Sequence, residues 1–350
     1  MEAGGIPSAF YWKQKIPHFT MFRVIIEIIS KLERIGARKQ MKKTETQKGV
    51  MYAGFSYLLW GLLPIYWKLL DNVNAKEILA SRVLWSFIFM IIILFLTKKL
   101  GLFLQTIKGF TKNKKQMYAL TIASLLISVN WFIYIWAVNS GHMIEASLGY
   151  YINPLISILL GMIVLKEKLT IYQYVSFILA AIGVLIISIS HGQFPWIAIS
   201  LALSFGVYGL AKKLINVDSA VGLTLETLVV TPVAAIYIGY LFMNGSNSFI
   251  TSGIQTDLLL IGAGVATAVP LLYFAKGAQK IPLSLLGFLQ YIAPTLTLLL
   301  GVFIYHEHFS KIQLLSFMFI WSALTIYSLS KTKLLSPQWL HLRKEKSTSI

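Results

Sequence analysis

The chain has 350 residues, of which 57% are hydrophobic and only 13% carry a charge. A soluble domain carries about 25% charged residues, so this composition and a mean hydropathy of +0.71 exclude an ordinary water-soluble protein. The net charge of +18 does not indicate nucleic-acid binding, because cytoplasmic loops of membrane proteins accumulate Lys and Arg. The chain contains no cysteine, which excludes disulfide bonds and thiolate metal sites.

Residues 1–47 are predicted to form a cytoplasmic N-terminal extension. Within it, residues 22–39 carry a helical stripe of apolar side chains opposite Arg and Lys, which is typical of a helix that lies on an anionic membrane surface. The alternative is that translation begins at Met41 and that residues 1–40 are a misassigned start. Both interpretations remain open.

Apolar segments of about 20 residues follow, each long enough to cross a bilayer as a helix. Because backbone amides in lipid must be satisfied within the segment, all of them are predicted to be helical. The fold class is therefore an all-α membrane protein with ten transmembrane helices. The predicted spans are 49–70, 77–97, 117–138, 145–165, 171–190, 194–214, 222–243, 257–276, 283–304 and 311–330.

The cations predict the orientation of these spans. With the N-terminus inside, the cytoplasmic stretches hold 27 of the 31 Lys and Arg residues, and the outer loop 244–257 holds none. The positive-inside bias therefore predicts that both termini are cytoplasmic. The count assigns residues 98–116, 166–170 and 212–221 to cytoplasmic connections.

The chain also repeats itself. Residues 151–177 return as residues 291–317, and identical residues include Pro154 and Pro294. The copies are five spans apart, an odd number, so the second copy must be inserted upside down. The sequence thus predicts two inverted five-helix repeats, 48–190 and 191–331, followed by a basic cytoplasmic tail, 332–350. Inverted repeats are a common build of secondary transporters, with the substrate site near the membrane midplane.

Polar and aromatic side chains inside the spans are candidates for the wall of a substrate cavity, because exposing polar groups to lipid is costly. Arg82 is interpreted either as an anion-binding residue or as the partner of a carboxylate, Glu77 or Glu145. The tryptophans of the first two spans could instead serve packing or anchoring, and Lys68 could extend to the lipid headgroups. The first-half candidates are Trp60, Pro64, Lys68, Arg82, Trp85, Asn130, Tyr134, Tyr150, Tyr151, Asn153 and Pro154.

The second half supplies fewer candidates. Its cavity residues are Tyr208, Gln290, Tyr291 and Pro294, the last three matching the proline-interrupted segment of the first half. Paired proline-interrupted helices in two halves indicate a transport site, although helix–helix hydrogen bonding is the alternative. Glu226, Glu77 and Glu145 are candidates for coupling transport to protons. Glu167 and Glu307 lie in short connections, where capping or loop geometry is expected. No metal site or cofactor is predicted.

At this point the sequence resembles the EamA type of the drug/metabolite transporter superfamily, and within it the RarD proteins. The resemblance rests on "YLLWGLLPIYWKLL" (57–70), "EILASRVLWSF" (77–87), "NWFIYIWAVNSGHMIEASLGYYINPL" (130–155) and "LGFLQYIAPTLTLLLGVFIYHEHF" (286–309). It implies ten helices, two inverted halves, cytoplasmic termini and a multi-pass permease in a bacterial plasma (inner) membrane. Members typically begin near Met41 of this sequence.

The predicted function is secondary transport of small organic metabolites or drugs by alternating access, with or without coupling to protons or other ions. A membrane enzyme acting on lipid and a non-transporting receptor are the alternatives, and neither is supported by a reactive cluster or a signalling extension. The expected partners are a small-molecule substrate and the lipid bilayer, with no nucleic acid. Small-residue spacings such as "SFGVYGLA" would permit a homodimer.

Overall fold

The computed structural model describes residues 44–330 except 111–113, 141, 191, 193, 305 and 307–309. The chain divides into two units, Met1–Gln47 and Lys48–Ile350. Only residues 44–47 of the first are described, so the predicted surface helix at 22–39 lies outside the described residues, as does the tail 332–350. The architecture below is that of the second unit.

The described residues form twelve helices and no strand. They are α1 (Thr44–Lys68), α2 (Ala75–Leu96), α3 (Leu100–Phe110), α4 (Lys114–Asn139), α5 (Met143–Ile163), α6 (Ile171–Ser190), α7 (Trp196–Leu214), α8 (Ser219–Met243), α9 (Ile254–Ala278), α10 (Leu283–Gln290), α11 (Ile292–Phe303) and α12 (Lys311–Ser330). Ten stretches are long and apolar enough to cross a membrane, with α10 and α11 together making one of them. The prediction of an all-α protein with ten spans is confirmed.

Two elements differ from the prediction. The connection 98–116, for which no helix was predicted, contains α3, an 11-residue helix too short to cross a bilayer. The segment 283–304 was expected to be one helix, but it is broken at Tyr291. Pro294 has no N–H to donate to the carbonyl oxygen of Gln290, four residues earlier, and this missing bond accounts for the break. The matching Pro154 leaves α5 continuous.

The spans pack in a defined set of pairs. Helix α2 lies against α8 and α9, α5 lies against α7 and α10, α4 contacts α7 and α8, and α6 runs along α12. Helix α1 is attached to α9 by a hydrogen bond from the Ser56 hydroxyl to the carbonyl oxygen of Pro270, 2.8 Å long. The two proline-bearing segments meet where Gly287 lies against Pro154 O, a position at which a Cβ atom would come within 2.8 Å of that oxygen. The absence of a side chain at Gly287 therefore sets the distance between α5 and α10.

Ten spans place the connections alternately at the two ends of the bundle. We call the end with residues 69–74 and 244–253 the predicted outer end, and the end with residues 164–170, 215–218 and 279–282 the predicted inner end. Hydrogen bonds hold the predicted inner end together. The ammonium group of Lys213 donates to the carbonyl oxygen of Ile281 at 2.6 Å, which ties α7 to the α9–α10 connection.

Asp218 makes a second set of contacts between helices at the predicted inner end. Its carboxylate caps α8 by accepting from the N–H of Ala220 at 3.0 Å, and Lys99 donates to the same carboxylate at 2.5 Å. Burial opposes ionisation of this group, but the bonds from Lys99, Val221 and Ala220 outweigh it, so the pKa of Asp218 is lowered from its ordinary value. Asp218 therefore remains charged at neutral pH and joins the α2–α3 connection to α8.

Candidate substrate site

Arg82, in α2, lies between two tryptophan rings. The carbon of its guanidinium group is 4.7 Å from the ring centroid of Trp131 in α4 and 5.4 Å from that of Trp67 in α1. Cation–π contacts of this kind stabilise a partly desolvated guanidinium. Its Nε atom is buried, and the described residues give it no hydrogen-bond acceptor. Of the two carboxylates predicted as partners, Glu77 binds elsewhere, and the side chain of Glu145 lies outside the described residues.

Two tyrosines complete the surroundings of this guanidinium. Tyr134 in α4 and Tyr150 in α5 have ring centroids 5.9 Å apart, and both hydroxyl groups lie within electrostatic range of Arg82. Tyr150 is half-exposed at the surface of the protein and forms the outer edge of the cluster. We call Trp67, Arg82, Trp131, Tyr134 and Tyr150 the Arg82 site. Four separate spans build it, and it combines one cation with aromatic walls and phenolic hydrogen-bonding groups.

A second group of rings fills the centre of the bundle. Trp60 in α1 lies 5.6 Å from Phe274 in α9 and 5.8 Å from Phe205 in α7. Tyr208 stacks on Phe274 with centroids 5.9 Å apart. Tyr57 joins the same cluster, 5.5 Å from Trp60. Trp60 and Tyr208 therefore belong to one aromatic cluster, since both contact Phe205 and Phe274, although they come from different halves of the chain.

Glu226, a candidate from the sequence, is part of a buried ion pair. The Nζ atom of Lys212 lies 2.6 Å from Oε1 of Glu226, and the two side chains are 4% and 3% exposed. The hydroxyl group of Tyr208 donates to Oε2 of Glu226 at 3.2 Å. The sequence count placed Lys212 among the cytoplasmic cations, although the predicted span 194–214 also contains it; in the structure it lies in the last turn of α7 with its side chain buried. The spacing Tyr208 to Lys212 is one helical turn, which was the available signal.

A small cavity of about 10 Å³, no larger than the space that one water molecule needs, lies beside these features. It is bordered by Trp131 of the Arg82 site on one side and by Tyr208 and Glu226 on the other. Two of the lining residues contact cationic groups: Trp131 contacts the guanidinium of Arg82, and Glu226 pairs with Lys212. The full lining is Val83, Ile127, Trp131, Tyr208, Leu223, Glu226, Thr227, Val230 and Leu271.

Several other sequence candidates have structural partners away from this cavity. The amide group of Asn130 donates to Leu201 O and to Ser204 Oγ, both at 2.9 Å, and so joins α4 to α7. The indole of Trp85 lies 6.1 Å from the ring of Phe249. Lys68 is exposed at the end of α1. These three positions are explained by helix packing or by the end of a span.

Glu77 attaches the predicted outer connection to α2. It is 2% exposed, and its Oε1 atom accepts from the backbone N–H groups of Ser248 and Phe249 at 2.7 and 3.1 Å. This geometry gives Glu77 a structural task at the end of the bundle.

The proline-bearing segments place their polar side chains in different surroundings. Tyr291 packs among residues of α6 and α12, and Tyr151 lies 5.3 Å from Phe317, so both tyrosines contact the α6–α12 side. Gln290 is buried beside Tyr57 of the central aromatic cluster. Pro64 is partly buried in α1, while Pro154 and Pro294 are buried. Asn153 Oδ1 and Gln290 Oε1 are buried and have no hydrogen-bond partner among the described residues.

Comparison with known proteins decides the family. The EamA-like transporter family matches residues 47–189 and again residues 195–329. The chain belongs to the EamA-like transporter family. This EamA protein is 50% identical over 295 residues to "Uncharacterized transporter YojE" of Bacillus subtilis, covering 84% of this chain and 97% of that one. It is 42% identical over 287 residues to "Protein RarD" of Escherichia coli, covering 82% and 96%.

A solved structure shares the fold of this EamA protein. Its TM-score is 0.61 at 18% identity, with 80% of this chain and 97% of that chain covered. The resemblance to EamA and RarD proteins predicted from the sequence is confirmed. The chain is a multi-pass bacterial membrane protein, and its relatives support a membrane transporter and not an enzyme.

Proposed function

We propose that this EamA protein is a secondary transporter of small organic solutes that carry a planar aromatic body and an anionic group. One central cavity opens alternately to the two sides of a bacterial plasma membrane, and both termini are cytoplasmic. The observation that carries the proposal is the Arg82 site, a cation between aromatic rings next to a cavity in the bundle.

The pattern of helix contacts supports two halves related by exchange. An exchange of spans five apart replaces α1 by α7, α2 by α8, α4 by α9, α5 by α10–α11 and α6 by α12. This exchange turns the α2–α9 pair into the α8–α4 pair, and both pairs are in contact in the structure. It likewise turns the α4–α7 pair into the α9–α1 pair, and both of these are in contact too. The α2–α8, α5–α10 and α6–α12 contacts map onto themselves. Such a relationship permits two equivalent conformations that open to opposite sides.

The chemistry of Arg82 favours an anion with a flat body. A guanidinium presents its N–H donors in one plane and pairs with carboxylate-like groups through parallel hydrogen bonds. The rings of Trp67 and Trp131 lie 5.4 and 4.7 Å from the guanidinium carbon and add aromatic surface beside these donors. Aromatic side chains at Tyr134 and Tyr150 would then contact the body of the solute.

The test is transport by purified protein in liposomes. Radiolabelled benzenesulfonate is a suitable probe because it is flat, it stays ionised across the usable pH range, and it crosses lipid poorly. We expect saturable uptake that empty liposomes lack. Uptake no greater than in empty liposomes would contradict the proposed substrate class.

The Arg82→Gln and Arg82→Lys variants assign the effect to the guanidinium. We expect uptake to fall about tenfold or more in Arg82→Gln, and Arg82→Lys to recover only part of it because an ammonium cannot make the planar contact. Lys76→Gln is the matched control, since Lys76 is exposed on the same helix. Equal losses in Arg82→Gln and Lys76→Gln would indicate that only overall charge matters.

A further inference from the structure

Lys212 and Glu226 form a buried charge pair, and the described residues reveal no structural reason for it. Replacing a buried ion pair by apolar residues is often neutral or stabilising, whereas removing one partner leaves an isolated buried charge. Lys212 and Glu226 therefore depend on each other, and anything that neutralises one changes what the other can bind. Both lie on consecutive helices, α7 and α8, joined by the short connection 215–218.

The two members of the pair stand in a definite order. Glu226 lines the cavity, whereas Lys212 does not. The carboxylate thus borders the same space as Trp131, and the ammonium group of Lys212 contacts this carboxylate without bordering the space.

The ammonium group of Lys212 also has unused hydrogen-bonding capacity. It has three N–H donors, and among the described residues its hydrogen-bond acceptor is Glu226 Oε1. Its other close contact is the ring of Tyr208, whose centroid is 5.5 Å from Nζ. An anionic group with two or three oxygens could accept more of these donors than Glu226 does.

We propose that Glu226 is an exchangeable counter-ion, and that the anionic group of the substrate takes its place on Lys212 when Glu226 binds a proton. This inference rests on the proposed function and adds its coupling. In the exchange, one proton joins a carboxylate oxygen of Glu226, the contact between Lys212 and Glu226 breaks, and a contact between Lys212 and the substrate anion forms. One positive and one negative charge enter together, so the net charge of the buried site is unchanged and the cycle is electroneutral.

The surroundings of Glu226 limit the groups that can titrate there. The titratable side chains that interact with it are Lys212 and Tyr208, both from α7. The other helices that border the cavity beside Glu226 contribute uncharged side chains to it, Val83 from α2, Ile127 and Trp131 from α4, and Leu271 from α9. A pH dependence of anion binding that Glu226→Gln abolishes can therefore be assigned to this carboxyl group.

The first test measures the binding of benzenesulfonate to the purified full chain by calorimetry at several pH values. Since the probe itself does not titrate, its affinity should fall about tenfold for each pH unit above the point where Glu226 ionises. Glu226→Gln should bind the probe with the affinity that the wild type reaches at acidic pH, and independently of pH. Wild-type affinity that does not change with pH would overturn the inference.

The second test separates coupling from transport in liposomes. An inward pH gradient, acidic outside, should concentrate the probe in wild-type liposomes, and clamping the membrane potential should leave this unchanged. Glu226→Gln should still exchange internal for external probe but lose accumulation, while the control Asp71→Asn, altered at an exposed position between α1 and α2, should keep it. Accumulation by Glu226→Gln overturns this inference and leaves the proposed function standing. Absence of probe binding and movement in the wild type at every pH overturns both.

Discussion

Oε1 of Glu167 accepts a hydrogen bond from the backbone N–H of Leu283 at 2.7 Å, and Oε2 accepts from Ser284 at 2.9 Å. These are the first two residues of α10, and their N–H groups have no partner within the helix. A carboxylate at this point satisfies both donors and interacts favourably with the positive end of the helix dipole. The connection between α5 and α6 in one half thereby caps the first helix of the proline-interrupted segment in the other.

Replacing Glu167 by Ala should destabilise the protein by about 1–2 kcal/mol, since the cap is lost and two N–H groups remain unpaired. Thermal unfolding in detergent measures the change. Glu167→Gln should lose less, because an amide oxygen still accepts. Equal stability of Glu167→Ala and the wild type would show that water replaces the carboxylate without cost.

Glu77→Ala should also destabilise the protein, by about 1–3 kcal/mol, because Ser248 and Phe249 lose their common acceptor. We expect the pH dependence of transport to stay as in the wild type, since the geometry gives Glu77 an attachment role at the predicted outer end. Stability in detergent and uptake at two pH values measure the two properties. A changed pH dependence at wild-type stability would restore Glu77 as a coupling residue.

Gly264→Ala should disrupt the contact between α9 and α2. A Cβ atom there would lie 2.3 Å from the carbonyl carbon of Trp85 and 2.6 Å from the backbone nitrogen of Ser86, and neither can move without the helix. Overpacking of this kind costs about 1–3 kcal/mol. Gly239→Ala in α8 is the control, as its Cβ would meet no atom within 4 Å. Thermal unfolding should rank Gly264→Ala below the wild type and Gly239→Ala at or above it.

Much of the fold was predictable from the sequence, because lipid demands long apolar helices and leaves a strong composition signal. Arg82, Tyr134 and Tyr150 were predicted as cavity residues for a related reason, because polar groups inside such helices are costly when they face lipid. Lys212 was missed because it adjoins Lys213 at a helix end, where lysines usually face the cytoplasm. Only the rotation of α7 about its axis decides which of the two points inward, and neighbouring helices set that rotation.

Single cysteines can test whether residues 244–253 lie outside the cell and α3 lies inside, as predicted. Because the chain contains no native cysteine, none has to be removed first. Ser246→Cys and Gln105→Cys alter exposed positions at the two ends of the bundle. A membrane-impermeant maleimide should label Ser246→Cys in intact cells, and Gln105→Cys only after the cells are permeabilised. Labelling of both in intact cells would contradict cytoplasmic termini with this topology.

Alternating access of one cavity is the central claim, and a single cysteine inside that cavity tests it most directly. Thr227 lines the cavity between the Arg82 site and the Lys212–Glu226 pair. In Thr227→Cys, a small anionic methanethiosulfonate reagent should react in right-side-out and in inverted membrane vesicles, and benzenesulfonate should slow both reactions. Reaction from one side only, with and without the probe and at every pH, would contradict the account.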